Sequence, residues 1–297
     1  MTNKLIKLFN ASKQYYSHIF SVTSYQFIPA LTYFLLILHY YFSSFSKYGV
    51  NYPFMFSMFT FSLFLFFLFP KLINNFYFWL PLTGYYWLFL FDYWVICQNH
   101  DILWGYWLLA ITASCLVPTE RRSKFLSVNA SLFIAFVFLI SIIHKTISQD
   151  FLSGHIMYYQ FLFSTRFLFL DYLLPFDYLE LLETTLTNLL NLQENLEPFS
   201  IEFIPQKLRT LAIIFAKIVY ILELLIAILF FFPKKFKVIH YRDFLLLTFI
   251  CAIYFILQLN GFLFLMVLLG LSQTSTKQPF IRFLYISVLL FYSTLIT

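Results

Sequence analysis

The chain has 297 residues, of which 61% are hydrophobic, 24% aromatic and 11% charged, and its formal net charge is +6. A mean hydropathy of +0.81 excludes an ordinary water-soluble domain. The apolar runs are long and do not alternate with polar residues, which also excludes a membrane β-barrel. We therefore predict an all-α integral membrane protein built as a multi-pass helical bundle.

Eight apolar segments are candidate membrane spans, for which about 20 residues are needed. They cover residues 27–45, 53–71, 76–97, 102–118, 130–144, 208–232, 243–271 and 280–296. The 243–271 segment is long for one helix and contains Gln258, Asn260 and Gly261, so it is either one broken helix or two short segments. The sequence thus predicts about eight or nine transmembrane helices in a single domain over residues 1–297.

Basic residues near the span ends orient the bundle, because Lys and Arg are retained on the cytoplasmic side. With segment 1–25 in the cytoplasm, all of the following reach that side: Lys4, Lys7, Lys13, Lys71, Arg121, Arg122, Lys124, Lys234, Lys235 and Lys237. We expect a bacterial inner-membrane protein with a cytoplasmic N-terminus, whose basic balance faces anionic lipid headgroups. No basic nucleic-acid motif accompanies this charge, so no nucleic-acid partner is expected.

Residues 151–207 are expected to form an extracytoplasmic cap. Between Asp171 and Glu202 the chain carries seven carboxylates and no Lys or Arg. Leucines recur there at nearly helical spacing, which is typical of an amphipathic helix lying along the interface. They are Leu179, Leu182, Leu186, Leu189, Leu190 and Leu196.

Ionisable side chains at the ends of the spans are the candidate site residues, because charge is costly at membrane depth. In the predicted topology they converge on the outer face: His39, Asp92, His100, Asp101, His144, Lys145 and Asp150. For each one, the alternative is a side chain that reaches the headgroups. Glu223 lies deep in the sixth span, where it must be protonated or paired. Lys217 and Arg166 are its expected partners if the pair is structural.

No metal site is predicted from spacing. The sequence has no HExxH motif and no two histidines at i, i+4, and Cys97, Cys115 and Cys251 lack metal-like spacing. Phosphate-binding loops, dinucleotide-binding motifs and the GxSxG nucleophile elbow do not occur either.

Two short stretches resemble a family of membrane enzymes. Gln98-Asn99-His100-Asp101 opens a predicted span and resembles the Asn-His that begins a helix in the vitamin K-dependent γ-carboxylases and their bacterial relatives, the HTTM (horizontally transferred transmembrane) proteins. The stretch from Ser141 to Gly154 resembles a second element of that family. In this element a helix rich in small residues ends at a Lys, and a short turn leads to the sequence Asp, aromatic residue, Leu, any residue, Gly. A weaker likeness is the span with Glu223, followed by a Pro-Lys-Lys turn and a further helix.

This resemblance implies a quinol- or lipid-dependent enzyme with a site at the outer face. In the carboxylase, the corresponding Lys deprotonates reduced vitamin K and the His assists at the glutamate carbanion. By resemblance, Lys145 is then the catalytic base and His100 its helper, with a quinone or quinol as cofactor. Supporting roles fall to Asn99, Asp101, His39, Asp92, Asp150 and Glu223.

The sequence also departs from the family's pattern. The turn after Lys145 is one residue longer than in many relatives, and a shift would place Thr146 where another basic residue can stand. Few residues follow the last span, so the large lumenal domain that holds the carboxylase's peptide substrate is not expected, and glutamate carboxylation does not follow.

A non-enzymatic membrane subunit is the main alternative. In that case the acidic cap docks a basic membrane or extracytoplasmic protein, and the lipid bilayer is the other partner. A transporter ranks last, because only the Gln258 to Gly261 region has the character of a broken helix.

Overall fold

The computed structural model describes residues 24–47, 57, 60–62, 64–65, 68–92, 99–164, 167–168, 170–174, 177–195, 206–232, 241–257 and 260–293. Every regular element in this part of the chain is a helix, which confirms the all-α prediction there. The α-helices are α1 Ser24–Lys47, α2 Phe76–Asp92, α3 Asn99–Ser114, α4 Thr119–Ile147, α5 Gln149–Leu152, α6 His155–Phe163, α7 Leu170–Leu173, α8 Tyr178–Asn195, α9 Gln206–Phe231, α10 Arg242–Leu257, α11 Asn260–Gln273 and α12 Pro279–Ser293, and a 3-10 helix covers Pro70–Asn74.

The chain falls into two compact units. The first comprises Met1–Ile134 and His240–Thr297, and the second comprises Ala135–Ile239. Helix α4 therefore begins in the first unit and ends in the second. The predicted cap, residues 151–207, belongs to the second unit; its extracytoplasmic position stays a prediction, as does the single transmembrane domain.

Helix α11 is the centre of the first unit. It packs against α1, α3, α10 and α12, and every residue from Leu263 to Thr274 is buried. A helix that is apolar on all sides is expected to be enclosed by other helices. Two of its glycines admit neighbouring side chains: a Cβ on Gly270 would lie 2.3 Å from the ring of Tyr285, and Gly261 is equally crowded by two histidines.

Arg122 fixes the junction between α3 and α4. Its guanidinium donates hydrogen bonds to the carbonyl oxygens of Val117 at 2.9 Å, Cys115 at 2.9 Å and Asn74 at 3.2 Å. The last carbonyls of a helix have no partner within it, and a cation is favourable there. The basic residues that follow Pro118 lie in the first turns of α4.

The second unit is organised around α6, which packs against α5, α8 and α9. Gly154 begins α6 with φ of 82°, and a Cβ there would lie 2.8 Å from the backbone nitrogen of Ile213 in α9. Only glycine accepts both this left-handed conformation and this close approach without strain. The Tyr178 hydroxyl of α8 donates to the carbonyl oxygen of Phe161, and burial raises the pKa of Tyr178 to about 12.

Among the described residues, two helices are long and apolar enough to cross a membrane, namely α4 and α9. Three shorter apolar helices are Phe27–His39, Gly261–Gln273 and Pro279–Tyr292. The predicted 243–271 span contains two helices, α10 and α11. Gln258 lies between them, outside the described residues, so the choice between one broken helix and two short segments stays a prediction. Nine of the 19 residues of the predicted 53–71 span lie outside the described residues. The count of eight or nine spans stays a prediction.

Candidate functional site

A buried ion pair joins α4 to α9 in the second unit. The Lys145 ammonium donates a hydrogen bond to Oε1 of Glu223, and the Ser141 hydroxyl donates to Oε2 of the same carboxylate at 3.0 Å. Ser141 and Lys145 are four residues apart in a helix and therefore share one face. The Glu223 side chain is 5% exposed and that of Lys145 is 18% exposed. Lys145 is thus held by a carboxylate while one side of it stays accessible.

The short helix α5 completes the surroundings of Lys145. The Nζ atom lies 4.6 Å from the centre of the Phe151 ring, at cation–π distance. Phe151 is buried, and three residues later Gly154 turns the chain into α6. Beside the pair, the hydroxyls of Thr146 and Tyr220 are 3.0 Å apart. Three residues of the stretch from Ser141 to Gly154 therefore surround the same ion pair, namely Ser141, Lys145 and Phe151.

A second polar group, the histidine cluster, comprises His39, His100 and Asp101 in the first unit. His39 Nε2 lies 2.8 Å from Oδ1 of Asp101, and His100 Nε2 lies 3.9 Å from the same oxygen. The donor atoms of all three side chains lie within 4.8 Å of one another. His39 is buried, while the other two are partly exposed. One carboxylate and two imidazoles therefore converge from α1 and α3.

Neighbouring side chains hold the histidine cluster in place. The Trp104 ring is stacked with that of His39 at a centroid distance of 6.0 Å, and its indole N–H donates to the carbonyl oxygen of Gly261 at 3.1 Å. The Tyr86 hydroxyl donates to the main-chain carbonyl of Asp101 at 2.8 Å. A Cβ on Gly261 would lie 2.4 Å from a ring atom of each histidine. The two imidazoles thus occupy space that only a glycine leaves open.

The predicted site residues are divided between these two groups and the surface. His39, His100 and Asp101 meet in the first unit, and Lys145 meets Glu223 in the second. The remaining candidates, Asp92, Asn99, His144 and Asp150, are exposed. Asp150 lies 3.4 Å from His155, which is also exposed.

Of the two partners expected for Glu223, Lys217 was wrong. Lys217 is exposed on the same helix; six residues of α-helix place its side chain about 120° around the axis from Glu223. Arg166 lies outside the described residues. The ammonium beside Glu223 belongs to Lys145 instead. Each of these two residues is the lone charge in its apolar stretch, which is the signal in the sequence that could have paired them.

A third polar group was not predicted at all. In the first unit, the Asp243 cluster comprises Arg242, Asp243, Gln273, Thr274 and Tyr285, all of them buried. The Asp243 carboxylate accepts hydrogen bonds from the Gln273 amide and, at 3.1 Å, from the Tyr285 hydroxyl. Arg242 donates to the Gln273 side-chain oxygen. These hydrogen bonds tie α10, α11 and α12 together.

Comparison of the chain with protein-family models, with curated proteins and with solved structures finds no significant match.

Proposed function

We propose that the protein is a multi-pass membrane enzyme of the HTTM or γ-carboxylase-like kind, with about eight or nine transmembrane helices. In this proposal Lys145 deprotonates a quinol at the outer face of a bacterial inner membrane, and the cap of residues 151–207 lies outside. The observation that carries the proposal is the Lys145–Glu223 pair, which joins α4 and α9, the two helices of the described residues that are long and apolar enough to span a membrane.

The surface of α4 and α9 supports membrane insertion. In the most apolar stretch of each helix only 33% of the residues are buried, whereas the core helix of a soluble protein is mostly buried. Large apolar side chains that face outward recur along α9, among them Ile214, Ile218 and Ile221. Such an extended apolar surface on both helices is suited to lipid and not to water.

The ion pair supports a functional role because burying two charges costs free energy. Removing two charges from water costs several kcal/mol per ion, which their mutual attraction repays only with good geometry and further hydrogen bonds. Ionisable groups within membrane helices are rare and mark proton or substrate pathways. Here, Ser141 satisfies one carboxylate oxygen and Lys145 the other.

The proposed step is a single proton transfer. The resting pair shares one proton between amine and carboxylate; when that proton lies on Glu223, the Lys145 amine is free to accept the proton of a quinol hydroxyl. The products are the ammonium form of Lys145 and a quinolate beside it. The partly exposed Lys145 and the Phe151 ring below it would receive an aromatic, lipid-soluble molecule from the bilayer.

Quinolate formation tests the proposal directly. The purified protein, in a mild detergent without oxygen, is mixed with a short-chain naphthohydroquinone and the quinolate absorbance is recorded. We expect the wild-type signal to disappear in Lys145→Ala and to fall in Glu223→Gln. Lys217→Ala, which removes an exposed lysine from α9, is the matched control and is expected to keep the signal. An unchanged signal in a folded Lys145→Ala protein would overturn the proposal.

The acidic cap supports a second candidate, a docking function. Asp177 directly precedes α8, and Glu180 and Glu183 follow within it at i+3 spacing; all three are exposed. Tyr178 and Leu182 are buried. This places carboxylates on one outward face that a basic protein can bind. The test is purification in mild detergent with Glu180→Gln/Glu183→Gln as the variant. Loss of a stoichiometric partner supports docking, and wild-type protein without any partner contradicts it.

A further inference from the structure

The histidine cluster has the composition of a transition-metal site. We propose that His39, His100 and Asp101 bind one divalent first-row transition ion of the zinc or iron class. The inference goes beyond the proposed function, because it uses none of the residues that surround Lys145. It also assigns His100 the role of a ligand in place of the helper base that the family resemblance implies.

The distances fit a shared ion. Bonds of about 2.0–2.1 Å to nitrogen and oxygen, arranged tetrahedrally around zinc, separate neighbouring ligand atoms by about 3.3 Å. The two separations from Oδ1 of Asp101, 2.8 Å to His39 and 3.9 Å to His100, lie on either side of that value. All three donor atoms are within 4.8 Å of one another. Small side-chain rotations therefore suffice to point them at one ion.

The donor types select the class of ion. Two imidazoles argue against Mg²⁺ and Ca²⁺, which prefer oxygen ligands, and the absence of thiolate from the set argues against Cu⁺. Two histidines with one carboxylate, and one or more positions left to water or substrate, match catalytic zinc and non-haem iron(II) sites. The partial exposure of His100 and Asp101 provides access to such an open position.

The surroundings behave as a preformed support for the ligands. Trp104 stacks on the His39 ring and also donates a hydrogen bond to the Gly261 carbonyl. Tyr86 anchors the backbone of Asp101. Groups that do not bind the metal themselves commonly orient the ligands of metal sites. Gly261 has this role here, because both imidazole rings pack against it.

Metal content and cobalt absorption test the inference. The protein is purified in mild detergent with a tag that contains no histidine, and is loaded with Zn²⁺ alone or Co²⁺ alone. We expect about one equivalent of zinc per chain and visible cobalt absorption in the wild type. Both are lost in His100→Ala and in Asp101→Asn. Gly261→Ala keeps every ligand but displaces the rings, and we expect it to weaken zinc binding by about 10- to 100-fold.

Two matched controls separate this site from other causes. His155→Ala breaks the exposed His155–Asp150 pair, a histidine–carboxylate contact of similar length, and is expected to leave metal binding unchanged. Lys145→Ala is expected to keep the metal while losing quinolate formation, so that the two proposals fail independently. A wild-type protein that binds neither ion, or binding that survives in folded His100→Ala and Asp101→Asn proteins, overturns the metal site. Helicity by circular dichroism and a single peak in gel filtration establish that each variant is folded.

Discussion

Breaking the Lys145–Glu223 pair is expected to cost much more stability than removing it whole. Lys145→Met leaves a carboxylate that is 5% exposed without its cation, and breaking a buried pair in this way costs about 3–5 kcal/mol. The Ser141 hydroxyl still donates to Glu223, and the site of Lys145 is partly open. These two facts place the expected loss near the lower end, at about 3 kcal/mol.

The double variant Lys145→Met/Glu223→Met removes both charges and fills their volume with apolar atoms. Replacing a buried pair in this way is often neutral or stabilising by about 1–4 kcal/mol, so the double variant should be at least as stable as the wild type. The expected coupling between the two positions is therefore large. Lys217→Met, an exposed change on α9, should stay within about 0.5 kcal/mol of the wild type.

The assay is unfolding by increasing the fraction of dodecyl sulfate in a mild detergent, followed by tryptophan fluorescence. The free energies of unfolding of four proteins form a complete double-mutant cycle: the wild type, Lys145→Met, Glu223→Met and the double variant. If the loss in the double variant equals the sum of the losses in the singles, the two side chains do not interact, and our account of the pair is refuted.

Three further predictions concern the helix ends and the cap. Gly154→Ala should destabilise the protein by more than about 1 kcal/mol, because alanine is strained at a positive φ and its Cβ would clash with the backbone of Ile213. Gly84 lies within α2 with open space around it, so Gly84→Ala should stabilise the protein by about 0.5–1 kcal/mol. Arg122→Ala should lower the free energy of unfolding by about 2–3 kcal/mol, because three main-chain carbonyls lose their hydrogen-bond donor. Arg121 is exposed, and Arg121→Ala should change the free energy of unfolding by less than about 0.5 kcal/mol. Tyr178→Phe should cost about 1 kcal/mol at neutral pH.

Each of these is measured by the same unfolding titration, and each has a contrary result. Equal effects of the two glycine substitutions would remove the conformational explanation for Gly154, and equal effects of the two arginine substitutions would remove the capping role of Arg122. For Tyr178 the pH dependence is the sharper check. Its pKa is about 12 in the folded protein and about 10 when unfolded, so its contribution is complete below pH 10 and declines as the pH rises through 12. The Tyr178→Phe protein should lack that part of the alkaline decline.

Much of the architecture was readable from local patterns. Composition and uninterrupted apolar runs predicted the helices, and leucine spacing predicted the amphipathic helix that the structure places at Tyr178–Asn195. Its Leu182 is buried, but Leu179 is exposed, so the spacing identified the helix more reliably than the face. Gln258, Asn260 and Gly261 marked the division of the 243–271 segment into α10 and α11.

The pairings within the site depend on helix packing, which local sequence patterns do not give. Glu223 was recognised as a group that needs a partner, yet its partner lies 78 residues earlier in the chain, and helix packing decides which distant charge arrives there. The predicted topology put His39, His100 and Asp101 at span ends on the same face of the bundle. Their mutual approach, however, depends on Gly261, whose missing side chain carries no chemical signal in a sequence. Metal-binding motifs that can be recognised in a sequence place ligands a few residues apart, whereas His39 is 62 residues from Asp101.

The two glycines of α11 have a mechanical consequence. Gly261 and Gly270 are nine residues apart, or two and a half turns, and so face opposite sides of the helix. Each receives aromatic rings that no other residue would admit, so α11 can neither slide nor turn about its axis without a collision at one of them. The histidine cluster and the Asp243 cluster are thereby attached to one rigid rod, about 18 Å apart along it. A side chain in place of either glycine would therefore disturb the packing on which the cluster beside it depends.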